Sequence, residues 1–546
     1  MKDSFGKLSM IFCAVALFAL PLAAQRIMVD GLCYNTSGDN AIVTHPHSHP
    51  AYPDLSGEVV IPPTVVINSK TYTVTEIDAS AFSGCTEVTS FVLPSTLKKI
   101  GDYAFYGCTG ITSIRIPVSV AKMSRSAFKD CAGLTTVYWD PKNCDIGEYL
   151  YSPFSKESYG MVITTFKFGN QVERIPMSLC QNLTELAEID IPASVTYIGR
   201  YAFSGCKNAK GDIDLSRLND YGVGIFTGCA NLTSVKLPNN GYISDNAFFL
   251  CSSLTSITFP DGLTNIGKEA FKGTGLTSVA FPNTLRRIGD EAFADCTGLT
   301  TVTIPGSVRT VHPKAFARCT NLTSVYWNAV DGGYKREHSN DYLGYKYAMQ
   351  DAPFGGCNNI STLVFGEGVE VVPENIMYDN EHAIPYHIKK LVIPSTVKSI
   401  GYNAFRSDFT DAEVYIFIAD TSAVVLGEQI LGAYTVIYPP ITSDLEAGRT
   451  ETHSPELYYD NATLYVPRGS VEQYSNADPW NRFPNIVEIE VKGDVNGDCA
   501  VDGSDNNAII NMILGRAETT AYGDVNDDGS VDGSDVNFII RKILGE

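Results

Sequence analysis

Two stretches near the end of the chain, "GDVNGDCAVDGSD" and "GDVNDDGSVDGSD", set oxygen-bearing side chains at a fixed spacing. Counted from the first Asp of each, positions 1, 3, 5, 9 and 12 are Asp494, Asn496, Asp498, Asp502 and Asp505, then Asp524, Asn526, Asp528, Asp532 and Asp535. Position 7 would add a backbone carbonyl, from Ala500 and from Ser530. A hard divalent cation gathers about six to eight such oxygens, and calcium is the ion that this spacing suits. Residues 493–516 align with 523–546 without gaps, with 16 of 24 positions identical. Two calcium ions are therefore expected. A merely solvated acidic tail would explain neither the spacing nor the duplication.

Such loops need an element to hold them. Behind each runs a short amphipathic segment at helical spacing, Ile509, Ile510, Ile513 and Leu514 in the first and Ile539, Ile540, Ile543 and Leu544 in the second. The spacing is that of an EF-hand loop, with Asp rather than Glu last and no incoming helices. A tandem pair of this kind resembles the type I dockerin, over residues 493–546. The resemblance implies a cohesin-bearing partner, met through loop positions 10 and 11 and the following helix. In this chain those are Gly503, Ser504 and Asn511, then Gly533, Ser534, Arg541 and Lys542. The Gly-Ser pair occurs in both halves, so docking in either of two orientations is implied. Residues 493–546 carry 11 acids and 3 bases, a net of −8. Without metal these carboxylates repel, and folding only with calcium is expected. Position 6 is Gly529 in the second loop but Cys499 in the first. A Cβ in that sharp turn costs about 1 kcal/mol, so the first site is expected to bind more weakly.

The rest of the chain is periodic. Phe82, Phe105 and Phe128 are 23 apart, and Phe203, Phe226, Phe248, Phe271, Phe293 and Phe316 follow at 22 or 23. A clean copy is "LTSVAFPNTLRRIGDEAFADCTG". Its Leu276, Val279 and Phe281 have the L-x-x-L-x-L spacing of one short strand, which Pro282 ends. "IGDEAF" supplies a second apolar patch. One such unit cannot bury its own face, but stacked units can. The recurring I-G-x-x-A-F-x-x-C resembles the BspA-like subclass of leucine-rich repeats, over roughly residues 57–490. That family is found on bacterial surface and secreted proteins. The expected fold class is α/β: a leucine-rich-repeat solenoid with a parallel sheet, 22–23-residue repeats and β caps, then a small all-α EF-hand-like dockerin. The expected domains are a signal peptide 1–24, an N-terminal β cap 25–77, repeats 78–440, a C-terminal cap 441–490 with Trp480 and Phe483 over the last coil, and the dockerin 491–546. Two stretches, 137–154 and 325–354, depart from the unit and resemble each other, so a longer super-repeat is expected.

The N-terminus has a signal-peptide layout: Lys2 and Lys7, an apolar run from Met10 to Leu20, then "PLAAQ". Cleavage after Ala24 is expected, giving an exported chain, secreted or at the cell surface, with no transmembrane segment. Export permits disulfides, but thirteen cysteines would remain, an odd number. Nine of them lie three residues after a Phe: Cys85, Cys108, Cys131, Cys206, Cys229, Cys251, Cys296, Cys319 and Cys357. Thr274 takes that place in one copy. A slot that accepts Thr is a small core position, so buried free thiols are expected. Net charge is −21, which argues against nucleic acid and anionic membranes as partners.

No G-x-S-x-G or H-E-x-x-H occurs, and repeats and caps leave no span for a catalytic domain. His45, His47 and His49 in "HPHSHP" could face one way on a strand and hold a metal, but Pro46 and Pro50 favour a surface loop. On the strands the first outward place is uniform (Ser90, Ser113, Thr136, Ser234, Ser256, Ser278, Thr301, Ser324), which suggests a hydroxyl ladder. The next varies, and a recognition surface permits variation. Tyr138 and Tyr326 lie in it. A Tyr-rich loop with Tyr334, Tyr342 and Tyr345 is the other candidate ligand surface, since aromatic side chains suit sugar rings or protein partners. The leading expectation is an exported, non-catalytic binding protein whose repeats take a glycan or protein and whose calcium-bound dockerin joins a cohesin. Two alternatives stay open. One is a component of a polysaccharide-degrading complex, as dockerins often ride on glycoside hydrolases. The other is an adhesion protein.

Overall fold

The computed structural model describes residues 26–46, 52, 54–148, 151–155, 160–330, 352–377, 386–401, 404–405, 407–418, 425–426, 434–437, 450–453, 459–489, 503–514, 517, 523–526 and 530–544. The expected signal segment, His47, His49 and the Tyr-rich loop lie outside these residues. The chain divides into two units, 1–147 with 158–161, and 148–157 with 162–546.

The first unit begins with antiparallel pairing. Ile27–Val29, Leu32–Ser37 and Asn40–Thr44 form a meander, and Thr64–Ile67 turns back on Lys70–Ile77. Asn68 and Ser69 both have positive φ (51° and 67°), as a two-residue hairpin turn requires. From Lys70–Ile77 onward the pairing is parallel, to Lys99–Ile100 and then Lys122–Met123. A second ladder joins Ser113–Ile116 to Thr136–Trp139, with Ser113 opposite Thr136 and Ile116 opposite Trp139. Each step between paired strands is one sequence period, so the chain winds as a coil with two short strands per turn.

The second unit repeats this plan. Its long parallel sheet runs Thr301–Ile304, Ser324–Trp327, Thr362–Phe365, Lys390–Ile393, Glu413–Ile416, Thr463–Val466 and Asn485–Glu488. Its short ladder uses two-residue strands: Arg174–Ile175, Tyr197–Ile198 and Asp220–Tyr221 in one sheet, then Tyr242–Ile243, Asn265–Ile266, Arg287–Ile288 and Thr310–Val311 in another. Between the ladders lies a column of buried rings. Phe203, Phe226, Phe248, Phe271, Phe293, Phe316 and Phe354 stack at centroid distances of 5.2–6.0 Å. The glycine of I-G-x-x-A-F follows from this tight stacking. A Cβ on Gly199 would lie 2.4 Å from the backbone nitrogen of Met177 in the preceding coil. At the chain's far end a helix, Val471–Asn476, and a 3₁₀ turn, Trp480–Arg482, close over the coils. Tyr474 donates to the Ile418 carbonyl at 2.6 Å, and Phe483 packs edge-on to Tyr459 at 5.1 Å.

The cysteines do what their slot implied, with an added role. The described cysteines are all free and buried. Seven thiols of the repeat slot reach back one coil to a phenylalanine carbonyl. Cys108 donates to the Phe82 carbonyl, Cys131 to Phe105, Cys229 to Phe203, Cys251 to Phe226, Cys296 to Phe271, Cys319 to Phe293 and Cys357 to Phe316, at 3.0–3.2 Å. Thr274 bonds the carbonyl of its own Phe271 at 2.8 Å instead.

Two expectations are corrected. Leu276–Phe281 forms no strand, and Val279 and Phe281 are only partly buried. A second layer of rings lies here, with Phe259 stacked on Phe281 at 5.6 Å. The Thr277 N–H still reaches the Thr255 carbonyl at 3.1 Å, but no strand pairing follows it. The hydroxyl ladder also runs elsewhere. Thr135 and Thr323 reach the carbonyls of Thr112 and Thr300, from the place before the expected one. A deeper row joins Ser119 to Leu97, Ser194 to Val172, Thr284 to Leu263 and Ser307 to Leu285, at 2.7–2.8 Å.

Candidate functional site

The two dockerin helices are Gly503–Ile513 and Gly533–Leu544. They share a small core of Ile509, Val525 and Ile539, flanked by Met512, Val531 and Phe538. Helical spacing turns the neighbouring apolar residues outward. Ile510, Ile513, Leu514 and Ile540 are 39–55% exposed. Of the described side chains in this amphipathic pattern, Ile509 and Ile539 lie in the core.

In the second loop the organising group is Asp535. Its carboxylate is fully buried. It accepts the backbone N–H of Val525 at 2.9 Å, of Asn526 at 3.3 Å and of Asp532 at 2.8 Å. One side chain thus ties the start of the loop to its end. Asp532 accepts the Ser534 backbone N–H at 2.7 Å and the Ser534 hydroxyl at 2.8 Å. The Ser534 N–H, then its hydroxyl, hold the Asp532 carboxyl below the usual carboxylate range. Asn526 donates to the Ser534 hydroxyl at 2.6 Å. Asp524 and Ser530 flank this network, and Asp528 lies outside the described residues. In the first half Asp505 is also fully buried, while Asp494, Asn496, Asp498, Ala500 and Asp502 lie outside them. Among the described residues no three His, Cys, Asp or Glu converge as metal ligands. What is present fits a hard cation in its donor chemistry: carboxylate and amide oxygens on a loop already drawn together by a buried carboxylate.

The partner residues named from sequence fall on the helix starts and outer faces. Gly503 and Gly533 begin the two helices. Ser504, Ser534 and Arg541 are exposed and Asn511 is half-buried. The side chain of Lys542 lies outside the described residues.

Of the tyrosines, Tyr138 sits in the first unit, under the Arg115 guanidinium at 4.6 Å, with Arg115 also paired to Asp140. Tyr326 is exposed on the long sheet of the second unit. Register places it in an outward row with Thr303, Val364, Val392, Tyr415, Tyr465 and Val487. Tyr415 and Tyr465 stack at 4.6 Å. Sequence reading missed these two. The signal was there, because "EVYI" and "TLYV" put Tyr at the place it holds in "SVYW". Tyr334, Tyr342 and Tyr345 lie outside the described residues.

Coils with two parallel ladders around a ring column define a leucine-rich-repeat protein. A family model described as the BspA type leucine rich repeat region matches residues 75–210, 158–248, 217–330 and 347–416. These spans cover more than half of the chain, which therefore belongs to that family. A model of the dockerin type I domain matches residues 492–544. The chain is similar to a solved leucine-rich repeat protein from Bacteroides ovatus, at 22% identity and a TM-score of 0.48, covering 85% of this chain and 100% of that one. It is similar to a leucine rich cell surface protein from Faecalibacterium prausnitzii, at 22% identity and 0.34, covering 63% and 95%. A leucine-rich repeat protein from Eubacterium ventriosum follows at 15% identity and 0.34, covering 73% and 91%. No curated protein matches the chain. Among the described residues no helix is long and apolar enough to cross a membrane.

Proposed function

We propose that this chain is an exported, non-catalytic binding protein that calcium attaches to a cohesin-bearing partner. The repeats hold a ligand, a glycan or a protein, and the dockerin tethers the assembly. The observation that carries this reading is the second dockerin loop, where the buried Asp535 carboxylate gathers loop N–H groups beneath two helices with an exposed apolar face. Asp524, Asn526, Asp528, Asp532, Asp535 and the Ser530 carbonyl would hold one ion. Asp494, Asn496, Asp498, Asp502, Asp505 and the Ala500 carbonyl would hold the other. Bound calcium supplies positive charge that relieves the repulsion among these carboxylates. The domain limits stated from the sequence belong to the same proposal.

The test is capture from the organism's own surface and secreted proteins, with the intact chain and a chain ending before residue 491. A cohesin-bearing protein retained by the intact chain in calcium, and lost with chelator or deletion, is the expected outcome. Equal capture by both chains would overturn the tether. Hydrolysis of a labelled polysaccharide panel by the purified chain would overturn the non-catalytic reading.

A further inference from the structure

The short ladder of the second unit is interrupted once between Arg174 and Val311. Asp220–Tyr221 does not pair with Tyr242–Ile243, although the strands on either side pair normally. The inward column of this ladder explains the break. It reads Ile175, Ile198, Tyr221, Ile243, Ile266, Ile288 and Val311. Tyr221 is the one aromatic in an aliphatic column. Its buried hydroxyl needs a partner and finds the Tyr242 carbonyl at 3.1 Å. The Ser244 hydroxyl reaches the Gly222 carbonyl at 3.0 Å, and Tyr242 donates to Asp220. Side-chain bonds replace the backbone ladder across this step, and the coils part.

The opening is a groove of about 660 Å³, lined from coils on both sides of the break. Two tyrosine rings stand in it, each backed on one face. Tyr197 carries the Arg174 guanidinium 3.9 Å from its centroid, and Tyr242 stacks on Tyr221 at 5.6 Å and 12°. The backing fixes both rings before any ligand arrives, so little side-chain entropy is lost on binding. Around them stand planar polar groups. Arg200, Asn265 and Arg287 line the groove and bond no other side chain among the described residues. Formal charge in the lining balances, with Arg200, Lys268 and Arg287 against Asp220, Asp245 and Asp290. A balanced lining gives no advantage to a polyanion or a polycation. Ring faces beside fork-shaped donors and acceptors suit a neutral molecule with C–H faces and many hydroxyls.

We infer that this groove is a binding site for a neutral oligosaccharide, stacked on Tyr197 and Tyr242 and hydrogen-bonded by Asp220, Asn265 and Arg287. This rests on the proposal that the repeats bind a ligand, and it names the ligand class and the place. The test is calorimetric titration of the full chain in calcium with soluble hexasaccharides of cellulose, xylan, mannan and starch. Tyr197→Ala and Asn265→Ala are compared with Tyr106→Ala, an exposed tyrosine outside the groove, with thermal melts as the check on folding. At least one hexasaccharide binds, the two groove variants weaken it tenfold or more, and Tyr106→Ala leaves it unchanged. Binding that survives both groove variants overturns the site. Failure to bind any hexasaccharide also overturns it. If the repeats then retain a protein instead, the ligand-binding proposal stands while the groove falls. Loss of calcium-dependent capture strikes the tether and leaves the groove untouched.

Discussion

At the residue scale the repeat rests on groups that act in register. The Cys slot shows why a thiol serves where Ser or Val would be the ordinary choices. It is small and apolar enough for a stacked core, yet still donates to the carbonyl one coil back. Burial has a titration consequence. It pushes the Cys131 and Cys229 thiols up to about 12 and Cys296 up to about 11, from an ordinary 9.0. A raised folded value means that the stabilisation is fully present below pH 9 and is lost as pH climbs through the folded values. The repeat thiols, Cys131, Cys229 and Cys296 among them, should therefore resist iodoacetamide at mildly alkaline pH. The urea midpoint should hold up to about pH 9 and fall steadily beyond it. Rapid alkylation of these thiols, located by peptide mapping, or a midpoint that rises above pH 9, would remove the buried-thiol account.

At the element scale the coil is set by contacts that admit no extra atom. Gly199 is the sharpest case, since a Cβ there meets the backbone of the preceding coil rather than a movable side chain. Gly199→Ala should cost about 1–3 kcal/mol by overpacking, seen as a lower denaturation midpoint with unchanged strand content. A neutral substitution would show that the coils are not held in that contact. The same tightness explains the interrupted ladder. Where Tyr221 enters an aliphatic column, its side-chain bonds take the place of the backbone pairing.

At the scale of the whole molecule, the repeats and the dockerin differ in what holds them. Ring stacking and ladders hold the coils, whereas the dockerin core has few apolar side chains and a high density of carboxylates. Chelation should abolish helical dichroism from residues 491–546 and leave the strand signal of the repeats intact. Returning calcium should restore the helices in two steps, with the Asp535 half ahead of the Asp505 half because Cys499 replaces a turn glycine. Equal helix content in chelator and in calcium would defeat this. So would simultaneous filling of both loops.

Spacing alone determined much of this protein. A period of 22–23 residues, a Phe and a Cys at fixed offsets, and Asp at alternating loop positions are one-dimensional signals. Stacking and ion binding read them directly, so the repeat fold and the dockerin were legible before any coordinate. Expectations built on one unit at a time did less well. "LTSVAF" has every feature of a strand, but pairing depends on how closely two coils approach. That approach is decided by side chains on neighbouring coils and not by the pattern of one unit. Ile510 and Ile540 likewise fit an amphipathic pattern, yet only the packing of one helix on the other decides which apolar side chains stay outside. The groove at Tyr221 was equally hidden. One aromatic in a column of isoleucines is unremarkable along the chain, and becomes a site only when the coils on either side are stacked and must part around it.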